Sequence, residues 1–215
     1  PRWRFLRVGV VGLGAGATAC YAQRGQDWTF FEIDPTVVRI ARDARYFTYL
    51  ADCKPDATVV LGDARLSLQR VPDGSFDLLV LDAFSSDAIP VHLLTTEAFA
   101  LYRRKLSRRG VLAVHISNQF LDLEPVVGRI TAETGFFGVV QYDNEPDEAE
   151  TLASLRVPSI WAVMARRPDD IAELAPDPRW LPLRGANAPL WTDDHVNILR
   201  ALMLSGGGTG GSRLD

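Results

Sequence analysis

The sequence predicts an α/β domain with a mostly parallel sheet, helices on both faces and an antiparallel last strand. Three observations carry that expectation. Apolar, β-rich runs alternate with helix-compatible stretches up to Gly135. The first run breaks into glycines, and the second, third and fourth end beside acidic residues. After Gly135 two apolar runs are separated by a short acidic, helix-poor stretch. Strands that alternate with helices are joined by crossovers, and crossovers give a parallel sheet covered on both faces.

Residues 6–11 are the first expected strand, and Val8-Gly-Val-Val-Gly-Leu-Gly-Ala-Gly16 breaks it into the alternate glycines Gly12, Gly14 and Gly16. With a helix expected over 15–24, these glycines sit at a strand-to-helix turn, where glycine permits a tight reversal and close approach to a ligand. Residues 28–33 form the second strand and close in Glu32-Ile33-Asp34. An acid about 20 positions after the first glycine of such a turn suits ribose hydroxyls. A helix over 35–43 opens with Pro35 in its first turn. Strand 57–61 ends in Gly62-Asp63-Ala64, strand 76–81 in Asp82, and strand 110–116 in Ser117-Asn118. Further helices are expected at 95–106, behind Thr95-Thr-Glu97, and at 123–134, stopped by Gly135.

Strands 136–142 and 159–165 flank the acidic stretch 143–150 and bring the expected sheet to seven strands, the last pair arranged like a hairpin. Residues 168–189 hold five prolines and read as coil with one short helix. The stretch 205–212 is Gly-rich, so the domain is taken as 1–204 and 205–215 as a disordered tail.

A chain of 215 residues, 47% hydrophobic and 23% charged, has the size of one well-cored α/β domain. A net charge of −4 and a pI near 5.4 argue against a general nucleic-acid binder. The basic cluster Arg103-Arg104-Lys105 with Arg108-Arg109 reads as a solvated helix end. Cys20 and Cys53 are too few for a disulfide framework and lack metal-ligand spacing, which fits a reducing compartment. No stretch approaches the roughly 18 apolar residues of a membrane span, and the N-terminus lacks a secretory pattern, so a cytoplasmic protein without membrane contact is expected.

In open parallel sheets ligands bind outside the carboxyl ends of the strands. A single acid there is readily explained as the N-cap of the next helix. Here Gly12, Gly14 and Gly16, then Glu32, then Asp63, then Asp82 follow one another at the first four strand ends, each of a type that a nucleoside site needs. Other chemistries find less support. His92, His115 and His195 are scattered without zinc-site spacing, and no metal is expected. Ser85-Ser86 lacks a Gly-x-Ser-x-Gly turn. A dinucleotide-dependent dehydrogenase would use the glycine turn but leave Asp63 and Asp82 unexplained. Trp161, Trp180 and Trp191 read as packing residues, with Trp191 drawn toward the site by its two neighbouring aspartates.

The order Gly-x-Gly-x-Gly, Glu-Ile-Asp, Gly-Asp-Ala and a post-strand Asp82 resembles the Rossmann-like class I S-adenosylmethionine-dependent methyltransferase fold. More narrowly it resembles the spermidine synthases and their bacterial relatives. The segment Leu81-Asp-Ala-Phe-Ser-Ser-Asp-Ala-Ile-Pro-Val-His-Leu-Leu-Thr95 and the C-terminal Trp191-Thr-Asp-Asp194 carry the narrower likeness, which spans about residues 6 to 200. The resemblance implies that Gly12, Leu13, Gly14 and Gly16 pass under a nucleoside. Glu32, with Ile33 beside it, would hold the ribose, while Asp63 and the Ala64 backbone read the adenine edge. Asp82 would face the reacting amine, with Asp87 as a second contact.

The implied co-substrate is decarboxylated S-adenosylmethionine, with no metal, and the implied acceptor is an amine such as putrescine. A carboxylate suits that task, because an alkylamine is mostly protonated near neutral pH and only its neutral form attacks. Two departures stand out. Ala15 occupies the position where spermidine synthases carry an aspartate for the donor's ammonium, which makes intact S-adenosylmethionine, and hence methyl transfer to a small molecule, an alternative. The chain also begins almost directly at strand one, without the family's small β-rich N-terminal domain, which leaves nucleoside binding without catalysis as a third reading. The expected partner is a small polyamine rather than nucleic acid; a homodimer is left open.

Overall fold

A computed structural model describes residues 5–83, 90–118, 120–143, 158–185, 187–198 and 201–202. Five strands run parallel: β1 (Arg7–Val11), β2 (Asp27–Glu32), β3 (Thr58–Leu61), β4 (Phe76–Leu81) and β5 (Leu106–His115). Three more complete the sheet: β6 (Phe137–Asp143), β7 (Ser159–Ala165) and β8 (Trp180–Pro182), in the order β3-β2-β1-β4-β5-β7-β6-β8. The chain moves outward from β1 through β2 to β3 and then returns to β4 on the other side of β1. That reversal leaves a crevice between the carboxyl ends of β1 and β4, the place where open α/β sheets bind ligands.

The expected antiparallel end is present, since β7 runs antiparallel to both β5 and β6. The sheet has eight strands among the described residues instead of seven. The additional one, β8, is a three-residue strand inside the proline-rich stretch expected to be coil, and it pairs with β6 at the sheet edge. Pro182 is tolerated there because one side of an edge strand needs no backbone donor.

Among the described residues five α-helices connect the strands. α1 (Pro35–Arg42) starts with Asp34 accepting the Thr36 N–H, and α3 (Ala64–Arg70) starts with Asp63 accepting the Leu66 N–H. Thr95 caps α4 (Thr96–Lys105) in the same way through Ala98 N–H. α2 (Tyr49–Cys53) is a single short helix that sequence reading passed over, and α5 (Glu124–Glu133) stops just before Gly135, which takes a φ of 72°.

The helix expected over 15–24 shrinks to one 3₁₀ turn, Ala17–Tyr21. Gly16 enters that turn with a φ of 84°, and a Cβ there would stand 2.8 Å from Leu50 Cγ on α2. The chain then turns at Gln23–Gln26 to enter β2, so no length remains for a full helix. Cys20 and Cys53 are not free thiols. The fold brings their Cα atoms to 4.8 Å and joins them in a disulfide across 33 residues. Such bridges persist in oxidising surroundings, which does not fit the reducing compartment expected from the cysteine count.

The central strands β1, β2 and β4 are largely buried on both faces, as continuous apolar runs require, whereas the edge strand β3 is partly exposed. Along β2, Phe30 enters one layer with Val8, Val10, Trp28 and Leu50, while Phe31 enters the other with Leu79, Leu81, Phe99, Tyr102 and Val127. Among the described residues no helix is long and apolar enough to cross a membrane. The tail expected at 205–215 lies outside them.

Candidate nucleoside site at the sheet switch point

A cavity of about 340 Å³ opens at the β1–β4 switch point, lined by Gly12, Gly14, Glu32, Ile33, Asp63, Ala64 and Asp82. Val11, Phe31, Val37, Ala83, Pro90, His92 and Leu93 complete its wall. A larger hollow of about 850 Å³ beside α5, bounded by Asp122, Val126, Arg184 and Leu202, lies away from these strand ends. The chemistry-bearing groups gather in the smaller one.

Gly12 has a φ of 96°, and a Cβ built on it would lie 2.2 Å from the Asp82 carbonyl oxygen. Only glycine lets the end of β1 press this closely against the end of β4. Leu13 contributes its backbone: its N–H donates to Glu32 Oε2 at 2.9 Å, while its side chain is buried in the core. Gly16 does not line the cavity, since it faces Leu50 and shapes the turn from behind.

Glu32 is only 8% exposed, and its Oε1 accepts the Asp34 N–H at 2.9 Å. Its carboxylate therefore bridges the glycine turn and the start of α1. Each oxygen keeps further lone-pair capacity for a hydroxyl donor in the cavity. Asp63 serves two structures together, with Oδ1 capping α3 and Oδ2 standing 3.2 Å from His92 Nε2. Helix capping and cavity lining are not alternatives here.

Asp82 sits directly after β4, where its N–H donates to the Val11 carbonyl at 2.8 Å. Its Oδ1 lies 2.9 Å from His115 Nδ1, and His115 Nε2 lies 2.8 Å from Ser117 Oγ. Asp87 and the segment 84–89 lie outside the described residues.

Sequence reading missed His92, His115 and Arg65. The Trp191-Thr-Asp-Asp194 segment explains Arg65: its guanidinium grips both Asp193 oxygens, at 2.7 Å and 2.5 Å, and donates to the His92 carbonyl at 3.0 Å. Thr95 adds a bond to Asp193 Oδ1, and the Asp193 N–H donates to Glu97. The Arg65 guanidinium, with Thr95, holds the Asp193 carboxyl below the usual carboxylate range. Trp191 itself is fully buried and does not line the cavity, so the motif braces α3, α4 and the His92 turn from below.

Among the described residues no group of three or more His, Cys, Asp or Glu side chains could hold a metal ion. The basic cluster is largely spent on structure: the Lys105 amine bonds the Val71 carbonyl and Asp73, and Arg109 pairs with Asp170.

The strand order, the glycine turn after β1 and the acids after β2, β3 and β4 define a class I methyltransferase fold. No family model matches the chain. Over 116 residues it is 34% identical to a polyamine aminopropyltransferase of Vibrio vulnificus, covering 51% of this chain and 37% of that protein. Over 111 residues it is 34% identical to an N-terminal histidine N-methyltransferase of Emericella nidulans, covering 49% of this chain and 19% of that protein. The chain thus spans well under half the length of either curated relative.

Solved structures share the fold. A probable spermidine synthase from Corynebacterium glutamicum matches with a TM-score of 0.63 at 18% identity, over 89% of this chain and 73% of that one. A spermidine synthase in complex with the transition state analogue AdoDATO matches with a TM-score of 0.60 at 16% identity, over 88% and 64%. A SAM dependent methyltransferase from Archaeoglobus fulgidus matches with a TM-score of 0.51 at 17% identity, over 75% and 86%.

Proposed function

We propose that this domain transfers an aminopropyl group from decarboxylated S-adenosylmethionine to a small amine such as putrescine. The observation that carries the reading is the placement of Asp82 on the wall of the same cavity as Gly12, Gly14, Glu32 and Asp63. A cavity of about 340 Å³ falls in the usual range for small-molecule sites, and its buried Glu32 retains acceptor capacity where a ribose would lie. The likeness to the Vibrio vulnificus enzyme supports the aminopropyl version.

Such a donor, when bound, supplies a sulfonium-activated carbon and a neutral thioether leaving group. The protein has to seat the nucleoside, bring an amine to that carbon and remove its proton. Gly12 and Gly14 let the backbone approach, Glu32 accepts from the ribose hydroxyls, and Asp63 with the Ala64 N–H meets the base. Asp82 binds the acceptor's ammonium and takes the proton that must leave. The freed nitrogen pair then forms the new carbon–nitrogen bond while the carbon–sulfur pair stays with sulfur. Asp87 remains a proposed second contact to the amine.

Methyl transfer from intact S-adenosylmethionine is the second reading, favoured by Ala15 and by the likeness to the Emericella nidulans methyltransferase. Calorimetry with S-adenosylmethionine, its decarboxylated form and methylthioadenosine, followed by mass spectrometry of products with putrescine present, separates the readings. Preference for the decarboxylated donor with spermidine formed supports the first. A methylated product supports the second. Tight nucleoside binding without turnover rejects both in favour of a binding domain.

A further inference from the structure

His115 was set aside in the sequence as one of three scattered histidines, yet it touches the carboxylate on which the proposed chemistry turns. The antiparallel register of β5 with β7 puts His115 opposite Trp161. Their rings stack with centroids 4.9 Å apart and planes 16° from parallel. Stacking fixes the plane of the imidazole, and hydrogen bonds then fix its two nitrogens.

An ionised carboxylate only accepts, so the 2.9 Å contact to Asp82 Oδ1 requires Nδ1 to carry the proton. In the neutral ring Nε2 is then an acceptor, and Ser117 Oγ, 2.8 Å away, donates to it. Ser117 is in turn oriented by the Ile160 N–H, which donates to its oxygen at 2.7 Å. With the ring neutral, every donor in the line points one way, from the β7 backbone through Ser117 and His115 to Asp82. Among the described residues the line ends on one oxygen of Asp82, Oδ1.

We propose that His115 is a positioning residue for amine transfer: anchored by Ser117 and stacked on Trp161, it holds the Asp82 carboxylate in the orientation that receives the acceptor's ammonium. This rests on the assignment of Asp82 as the amine-facing group. His115 need not take up a proton itself. Its part is to remove the rotational freedom of Asp82, and a misplacement of about 1 Å in such a group lowers turnover by roughly 10²-fold. Nucleoside binding depends on Glu32 and the glycine turn, which His115 does not touch, so it should be spared.

The test compares wild type with His115→Phe, which keeps a stacking ring but has no nitrogen, and His115→Asn, whose amide nitrogen can stand near the Nδ1 position. Steady-state kinetics with decarboxylated S-adenosylmethionine and putrescine, and calorimetry with methylthioadenosine, are run on all three proteins. The expected result is a kcat lowered by roughly 10²-fold in His115→Phe with donor KM and methylthioadenosine affinity within about threefold, and recovery of at least about tenfold in kcat in His115→Asn. A His115→Phe protein with wild-type kcat overturns the positioning role while leaving the functional reading intact. So does equal loss in both variants, because the donor to Asp82 would then not be what matters. A wild type that binds methylthioadenosine but transfers nothing to putrescine overturns the functional reading, and the positioning role with it, before any variant is compared.

Discussion

Removing the Cys20–Cys53 bridge tests the fold where sequence reading and structure disagree most. The disulfide closes a loop across 33 residues that contains β2, α1 and the cavity-lining Glu32. In the chain-entropy treatment a loop of that length restricts the unfolded state by about 12.5 cal/mol/K, or about 3.7 kcal/mol at 25 °C. For a domain of this size each kcal/mol moves the melting midpoint by roughly 2–4 °C, so the bridge should be worth roughly 7–15 °C. The double variant Cys20→Ala/Cys53→Ala and wild type in excess dithiothreitol are melted beside oxidised wild type by circular dichroism, with thiols counted by maleimide labelling and mass spectrometry. Both reduced forms should melt earlier by that margin and by similar amounts. Two free thiols in protein prepared without reductant, or midpoints within about 2 °C of each other, would refute the reasoning.

Four further outcomes are expected. Asp82→Asn should lower aminopropyl transfer by roughly 10²–10⁴-fold, measured as spermidine formed, while methylthioadenosine affinity stays within about twofold. Glu32→Gln presents an amide nitrogen to one of two backbone donors, Leu13 N–H or Asp34 N–H, so calorimetry should show nucleoside affinity reduced at least about tenfold and urea unfolding a loss of about 1–3 kcal/mol. Gly12→Ala combines a φ of 96° with a Cβ 2.2 Å from the Asp82 carbonyl oxygen and should lose about 2–4 kcal/mol in the same unfolding assay. Asp170, held down by Arg167 and Arg109, and Asp193, held down by Arg65, have carboxyls lowered in the folded state. Their contribution is therefore present above the unfolded carboxylate range of about 4 and lost as pH falls below it through the folded values, so melting midpoints should fall below about pH 4, less steeply in Asp170→Asn and Asp193→Asn.

The parts of this fold that could be read from sequence are those encoded locally. Parallel strands buried on both faces must be continuous apolar runs, so β1, β2 and β4 show themselves as such, and the partly exposed edge strand β3 leads, like them, to a residue that lines the crevice. Glu32, Asp63 and Asp82 were legible because strand ends in a doubly wound sheet converge by construction. The His115–Trp161 stack was not, because it depends on β7 inserting antiparallel between β5 and β6, and on a register that no local signal sets. Arg65 and Asp193 meet across 128 positions, and each taken alone looks like a solvated surface charge. The Cys20–Cys53 pair escaped for a related reason. Counting cysteines detects frameworks of several bridges, whereas a single bridge is decided by how the 3₁₀ turn after Gly16 lies on α2.

Ala15 argues for an intact donor only if position 15 is where donors are told apart, and the charges around the cavity offer another basis. Its described wall carries three carboxylates, Glu32, Asp63 and Asp82, against the single imidazole of His92. Arg65, whose guanidinium donates to the carbonyl of the wall residue His92, is committed to Asp193 and so is not free to meet a donor's carboxylate. A decarboxylated donor presents a purely cationic tail to these carboxylates, whereas an intact one adds a carboxylate that must be desolvated beside like charges. The loss of an acid at position 15 weakens the grip on an ammonium without creating a site for a carboxylate. The electrostatic balance of the wall thus supports the aminopropyl reading over the methyl one, and it does so through the same Asp82 whose orientation is assigned to His115.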